Sequence, residues 1–304
     1  MSLKSKYLVS IVGPTAVGKT ALCIDLAKAL KTEIISADSR QFYKEMSIGT
    51  AKPTEQELIQ VRHHFVGDRS VEDEFSAGKF EKEAIEIITE LHESKEAVIM
   101  TGGSGLYIDA VLNGFNEMPE IDPEIRLNLN SKFEKEGLKV LLDELQEADP
   151  VYYETVDKGN PYRVIRGLEV YLSSGKPYST FRTGEKKLRN FVVIKIGLDR
   201  FREELYERIN KRVDMMMSLG LQEEVKALEA FREKQALQTV GYKEIFDHLD
   251  GLTTLDEAVE LIKRNTRRYA KRQMTWFRRD NEIKWFHPDD FQNILGYIDD
   301  QIKK

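Results

Sequence analysis

The residues Gly13-Pro14-Thr15-Ala16-Val17-Gly18-Lys19-Thr20 form a G-x-x-x-x-G-K-T run. An apolar stretch, Tyr7 to Val12, precedes it and an amphipathic stretch, Ala21 to Leu30, follows. Strand, glycine loop and helix start in that order make a phosphate cradle. Gly13 and Gly18 allow the backbone angles that turn successive N–H groups inward. A helix opening near Lys19 adds unpaired N–H groups and the positive end of its dipole. Lys19 supplies a mobile positive charge, and Thr20 a hydroxyl suited to Mg²⁺. Residues 13–20 therefore read as a diphosphate- or nucleotide-binding loop of the type found in ATP-binding proteins. They do not say what becomes of the phosphate.

Two further polar segments could share that cavity. Asp38, in Asp38-Ser39-Arg40-Gln41, follows a second apolar run, where an acid can accept a proton from a nucleophile. Its plainer role is the N-cap of a following helix, and the two are compatible. The third strand candidate ends in Thr101-Gly102-Gly103, with no acid to hold a metal through water. Asp38 is thus a general-base candidate more than a metal ligand. Ser104, in Gly102-Gly103-Ser104-Gly105, could donate to a phosphate or a base edge, or simply serve the turn.

The elements that position these residues follow from hydrophobic period. Strand candidates cover 7–12, 33–36, 97–100 and 191–198, with amphipathic helices between them; Ser76 is placed to cap one. Alternating strands and helices predict an α/β fold, a P-loop NTPase-like parallel sheet flanked by helices. Ligands collect at the carboxyl ends of such strands, so the three polar segments should face one cavity. From Asp122-Pro123-Glu124, a cap followed by proline at the first helical position, the period is helical as far as about Arg189. Residues 122–189 are read as an inserted all-helical domain, and 1–121 with 190–304 as the core. Thr254-Leu255-Asp256-Glu257 is a capping box opening a long helix.

Bulk properties narrow the class. The chain has 304 residues, a net charge of −6 and one cysteine, Cys23, on the apolar face after the loop. Structural disulfides and cysteine-held zinc are excluded, and Cys23 reads as a small core residue. No run of about 18 apolar residues or secretory leader is present, which predicts a cytoplasmic protein with no membrane partner. The charge is segregated. Between Lys263 and Arg279 stand eight basic residues and no acid. Lys263, Arg264, Arg267, Arg268, Lys271 and Arg272 cover about half of a helix, with Ala258, Ile262, Tyr269 and Trp276 opposite. A solvated face is the ordinary reading, but such faces usually mix their signs, and this one predicts a polyanion partner.

On these residues the chain resembles the bacterial tRNA dimethylallyltransferases. The matching stretches, in the family's order, are 13–20, Asp38 to Gln41, Ile48 to Pro53, Gly102 to Tyr107, Asn160 to Val170, Val240-Gly241-Tyr242 and Lys271 to Trp276. The resemblance implies transfer of a dimethylallyl group from dimethylallyl diphosphate to N6 of the adenine 3′ of the anticodon, A37, with diphosphate as leaving group. It implies Asp38 as base, with Lys19, Mg²⁺ and the loop amides stabilising the diphosphate. Thr20 would ligate Mg²⁺, and Thr15 would contact the diphosphate or orient Asp38. Arg208 and Arg212, one turn apart, could reach the diphosphate, or pair with Glu204 or Glu207. By resemblance Asp38, Ser39, Arg40, Gln41, Ser104, Arg126, Tyr162, Arg163, Val164, Ile165 and Arg166 contact tRNA. Arg163 and Arg166 share a helical face and could instead pair with Glu169. Lys263, Arg267 and Lys271 on the basic half-face would hold the anticodon arm by charge. The zinc finger of the eukaryotic relatives is absent, and a monomer is expected.

Three other readings remain open on sequence. Prenyl transfer to free AMP or ATP would leave the insertion and the basic helix without a task. A P-loop small-molecule or nucleoside kinase would suit the loop and Asp38. A non-catalytic RNA-binding role would explain the basic helix alone.

Overall fold

The computed structural model describes residues 5–116, 118–182, 184 and 186–303. The backbone divides into two compact units, Met1–Asn113 with Leu188–Lys304, and Gly114–Lys187.

The first unit is built on a six-stranded sheet. Its strands are β1 (Tyr7–Val12), β2 (Ile34–Ser36), β3 (His63–His64), β4 (Ala97–Gly102), β5 (Val192–Leu198) and β6 (Lys284–Phe286). The order is β3-β2-β4-β1-β5-β6 and every pairing is parallel. β1 lies at the centre and all six of its residues are buried, as expected for a strand covered on both faces. Its alternation sorts the core. Leu8 and Val12 join one cluster with Phe42, Phe80 and Met100. Tyr7, Val9 and Ile11 join another with Leu26, Ile99 and Ile196. The strands expected from hydrophobic period lie where that period puts them, to within two residues at each end. β3 and β6 have no counterpart among the expected strands: two- and three-residue edge strands carry no period to detect.

Helices cover both faces. They are α1 (Lys19–Leu30), α2 (Glu55–Gln60), α3 (Ala77–Ser94) and α4 (Gly105–Asn113), then, after the second unit, α9 (Arg202–Ser218), α10 (Leu221–Ala227), α11 (Tyr242–Leu249), α12 (Leu255–Phe277) and α13 (Phe291–Ile302). Ser76 caps α3, and Thr54 and Thr254 make full capping boxes with Glu57 and Glu257. The sheet register brings the strand ends level. Val12 sits opposite Gly102 of β4 and Gly197 of β5, and Ser36 of β2 opposite Thr101. The segments after β1, β2 and β4 therefore leave the sheet along one edge, where α/β sheets bind ligands.

The second unit holds α5 (Pro123–Glu136), α6 (Leu138–Ala148), α7 (Pro150–Thr155), α8 (Pro161–Ser174) and a 3₁₀ turn, Tyr178–Phe181. Asp122 caps α5, with Pro123 at its first position. Leu129, Leu141, Leu145, Tyr152, Val156, Val164, Ile165 and Leu168 form the unit's own core. It begins at Gly114, eight residues before the sequence-based boundary of 122, and ends at Lys187. Its two ends meet: a Cβ added to Gly114 would lie 2.6 Å from Lys187 Cδ. Among the described residues, no helix is long and apolar enough to cross a membrane.

Candidate active site

The loop between β1 and α1 has the conformation a phosphate cradle needs. Gly18 takes φ +113°, which only glycine adopts freely. Ala16 also sits at positive φ, 64°, a conformation L-residues rarely adopt and one that the sequence does not single out. Lys19 Nζ donates to the carbonyls of Gly13 (3.0 Å) and Pro14 (2.9 Å). Burial pulls the Lys19 ammonium down to about 8, with Arg212 adding repulsion and Asp38 opposing both.

Three arginines bond the loop. Arg208 Nε donates to Ala16 O at 2.8 Å, Arg212 NH1 to Thr15 Oγ1 at 3.3 Å, and Arg200 Nε to Val17 O at 2.8 Å. Arg208 and Arg212 lie one turn apart on α9 and both reach residues 13–20. The nearby carboxylates are engaged elsewhere: Glu204 pairs with Arg200 and Glu207 with Lys211. Burial lowers the Arg212 guanidinium, and Arg208 adds to that, while Asp38 opposes it. Thr15 is oriented by Arg212 and by Gln273, whose Oε1 accepts from Thr15 N at 2.9 Å.

Asp38 stands after β2, in electrostatic contact with Lys19, Arg40 and Arg212. Burial pushes its carboxyl above the ordinary carboxylate value, against the pull of Lys19 and of the Arg40 amide and guanidinium. No helix follows it. Residues 39–42 form turns, and Asp38 Oδ1 accepts from Arg40 N at 3.2 Å, so the helix-cap role is corrected to that of a turn residue. Ser39 N donates to Ser104 Oγ (3.0 Å), which donates to Ser39 Oγ (3.1 Å). Ser104 thus fastens the Asp38 turn to the loop after β4. Arg40 NH1 bonds Gln235 O at 2.9 Å, and Gln41 Nε2 bonds Thr50 O and Ala51 O at 3.2 and 3.1 Å.

The segment that anchors Gln41 is itself held by Glu224 of α10. Its carboxylate accepts from Ser47 N (2.9 Å), Ile48 N (2.7 Å), Gly49 N (3.0 Å) and Tyr242 OH (2.7 Å). Three converging amides make a backbone anion nest filled from within the chain.

Four side chains in this region are not legible in the sequence as site residues: Gln273, Arg200, Glu224 and Tyr269. The helical projection puts Tyr269 on the apolar side of its helix. Its phenol is half-buried, within reach of the Asp38 charge and the Ser104 hydroxyl, and burial raises it above the usual tyrosine value. Helical spacing signals that Tyr269 and Gln273, four residues apart, share a face. It does not signal what that face meets.

The loop suits a hard divalent cation. Thr20, in the first turn of α1, offers a hydroxyl, and phosphate oxygens and water would complete the shell. Among the described residues no cluster of three His, Cys, Asp or Glu forms a metal cage. The end of β4 holds Thr101, whose buried hydroxyl has no nitrogen or oxygen partner and faces the Cys23 thiol. Cys23 is fully buried and pushed up to about 12, an inert core group.

This fold has known counterparts. The family model described as IPP transferase matches residues 41–280. The chain belongs to the IPP transferase family. Two relatives carry the match over the full length. The tRNA dimethylallyltransferase 2 of Parabacteroides distasonis is 52% identical over 97% of this chain and 99% of its own. The tRNA dimethylallyltransferase of Cytophaga hutchinsonii is 49% identical over the whole of both chains. Among solved structures, the tRNA isopentenylpyrophosphate transferase of Bacillus halodurans is 40% identical, with a TM-score of 0.72 over 98% of this chain and 97% of that one. A eukaryotic dimethylallyltransferase solved acting on tRNA gives 0.80 at 27% identity, over 95% and 75%. The IPP transferase model match begins at Gln41, and the full-length relatives extend the likeness over the loop at residues 13–20.

Several residues expected to touch tRNA have other duties in this IPP transferase chain. Val164 and Ile165 are buried in the core of the helical unit, so they are corrected to packing residues. Arg126 and Arg166 both pair with Glu169, whose side chain is fully buried, while 56% of the Arg126 side chain stays exposed. Arg163 and Tyr162 are exposed on the same helix. On α12, Lys263 is held by Asp214 (2.8 Å) and Glu260 (3.0 Å), which corrects the expectation of an uncompensated basic face at that position. Arg267 NH1 bonds Asn210 Oδ1 at 2.6 Å. Arg268, Lys271 and Arg272 are exposed.

Proposed function

We propose that the chain transfers a dimethylallyl group from dimethylallyl diphosphate to N6 of the adenine 3′ of the anticodon in tRNA. One observation carries the reading. A phosphate loop gripped by Lys19, Arg208 and Arg212 faces a single shielded carboxylate, Asp38, in a chain of the IPP transferase family. That pairing supports a reaction whose phosphate departs while a proton is taken from a weak nucleophile.

Adenine N6 attacks C1 of the allylic chain, the N6–C1 bond forms and C1–O breaks. The electron pair leaves with the diphosphate, and the N6 proton passes to Asp38. A positioned base contributes about 10²–10⁴-fold. Charge building on the departing oxygens meets the loop amides, Lys19 and the two α9 arginines, which are already in place. Mg²⁺, held by Thr20 and the phosphate oxygens, would supply further charge neutralisation there. The target base must leave its stack to enter such a cavity, so flanking RNA needs its own grip. The exposed Arg268, Lys271 and Arg272 of α12 are assigned to that grip; Tyr162 and Arg163, exposed on the helical unit, are assigned to RNA contact separately. The 114–187 unit is assigned to RNA binding, and the protein to the compartment where tRNA is modified.

Labelled dimethylallyl diphosphate, unmodified tRNA and Mg²⁺ should yield labelled RNA, and AMP in place of tRNA should not be labelled. Label in AMP alone, or in neither acceptor at any Mg²⁺ concentration, would overturn the proposal. Asp38→Ala should still bind tRNA and turn over at least about 10²-fold more slowly.

A further inference from the structure

Gln273 is a buried amide, 5% exposed, on the helix that carries the basic face. It touches two separate loops. Its Oε1 accepts from Thr15 N at 2.9 Å and its Nε2 donates to Gly103 O at 2.9 Å. A peptide N–H can only donate and a carbonyl can only accept, so the partners fix which way the amide points. The approach is close. A Cβ on Gly103 would lie 2.2 Å from Gln273 Nε2, and one on Gly105 would lie 2.3 Å from Trp276 Nε1 on the same helix. Ala270 and Phe277 anchor the helix in the two sheet-flanking cores. Helix α12 therefore rests directly on the backbone after β4.

The bridged loops have different tasks. Residues 13–20 hold the donor's phosphates. The loop after β4 carries Ser104, which receives Ser39 N and so fastens the Asp38 turn. We propose that Gln273 sets the spacing between the donor's phosphate loop and the acceptor-side turn, as a positioning residue that acts through Thr15 and Gly103 and touches no substrate. The inference rests on the prenyl-transfer reading of the cavity. Where two reactants must meet at bonding range, an error of about 1 Å costs on the order of 10²-fold in rate. Binding of either reactant alone does not depend on that spacing. A residue of this kind therefore separates kcat from affinity.

Gln273→Met keeps length and apolar bulk and removes both bonds. The full-length variant is expected to lose about 10²-fold in kcat for tRNA prenylation while its Kd values for inorganic diphosphate and for an anticodon stem-loop RNA move less than about threefold. Gln273→Glu keeps the shape and the acceptor for Thr15 N, but sets a carboxylate oxygen against Gly103 O. It should also lose kcat with affinities held, and it decides the matter should the methionine variant not fold. A folded variant with kcat within about threefold of wild type overturns the proposal, as does a rate loss matched by an equal loss of binding. A wild-type chain that prenylates no RNA overturns the reading of the site itself, which separates that failure from this one.

Discussion

Lys19 carries a pH signature that binding should expose. Its ammonium is pulled down to about 8 in the free chain, chiefly by burial. A bound diphosphate brings negative charge to the ammonium and raises its pKa. The complex then holds the proton more tightly than the free chain does, so affinity falls as pH rises past about 8. Below that, Lys19 adds no pH dependence. The limiting slope is about tenfold per pH unit. Calorimetry with inorganic diphosphate should show this fall in wild type, and a weaker, flatter profile in Lys19→Met. Asp38 gives the opposite limb. Its carboxyl is raised by burial, and in the proposed reaction only its ionised form could take the N6 proton. Turnover should therefore decline as pH falls through a midpoint above the usual carboxylate range. Asp38→Asn should abolish that limb along with most of the rate, in single-turnover assays across the acid range.

Helix α12 shows how far a sequence pattern reaches. Its capping box and its two faces are legible because both arise from residues within a few positions of one another. Its partners are not. The Thr15–Gln273 bond spans 258 residues, and the acid that neutralises Lys263 most closely, Asp214, comes from α9. The same limit covers Arg208 and Arg212, where local spacing offers Glu204 or Glu207 and tertiary packing delivers both arginines to the phosphate loop. Asp38 is legible as a candidate because it follows a strand. The turn it occupies depends on Ser104, which reaches it from the end of β4. The basic face divides accordingly. Replacing Arg268, Lys271 and Arg272 together by alanine should weaken tRNA binding and flatten its salt dependence. The log–log slope should drop by about 0.7–0.9 for each phosphate that is no longer neutralised. Lys263→Ala, at a position already paired, should leave that slope unchanged. Filter binding over a range of KCl concentrations measures both.

The chain as a whole keeps two units, each with its own core. Leu141, fully buried, packs in the helical unit with Leu145, Val164 and Leu168. Leu141→Ala should destabilise that unit by about 2–5 kcal/mol, the usual range for a leucine-sized cavity. Hydrogen exchange should then speed up in α6 and α8 and stay unchanged in β1, β4 and β5, with diphosphate affinity preserved. A single cooperative loss of protection across both units would refute the division.

Glu224 has a broader effect. The chain plugs the converging amides of residues 47–49 with a carboxylate of its own. A tethered plug is present at far higher effective concentration than any solute. Phosphate, sulfate and free nucleotides in the surrounding solution therefore find that receptor taken. The geometry of Gln41 and the turn beside it is insulated from the salt composition of the medium, while the loop at residues 13–20 remains responsive to it.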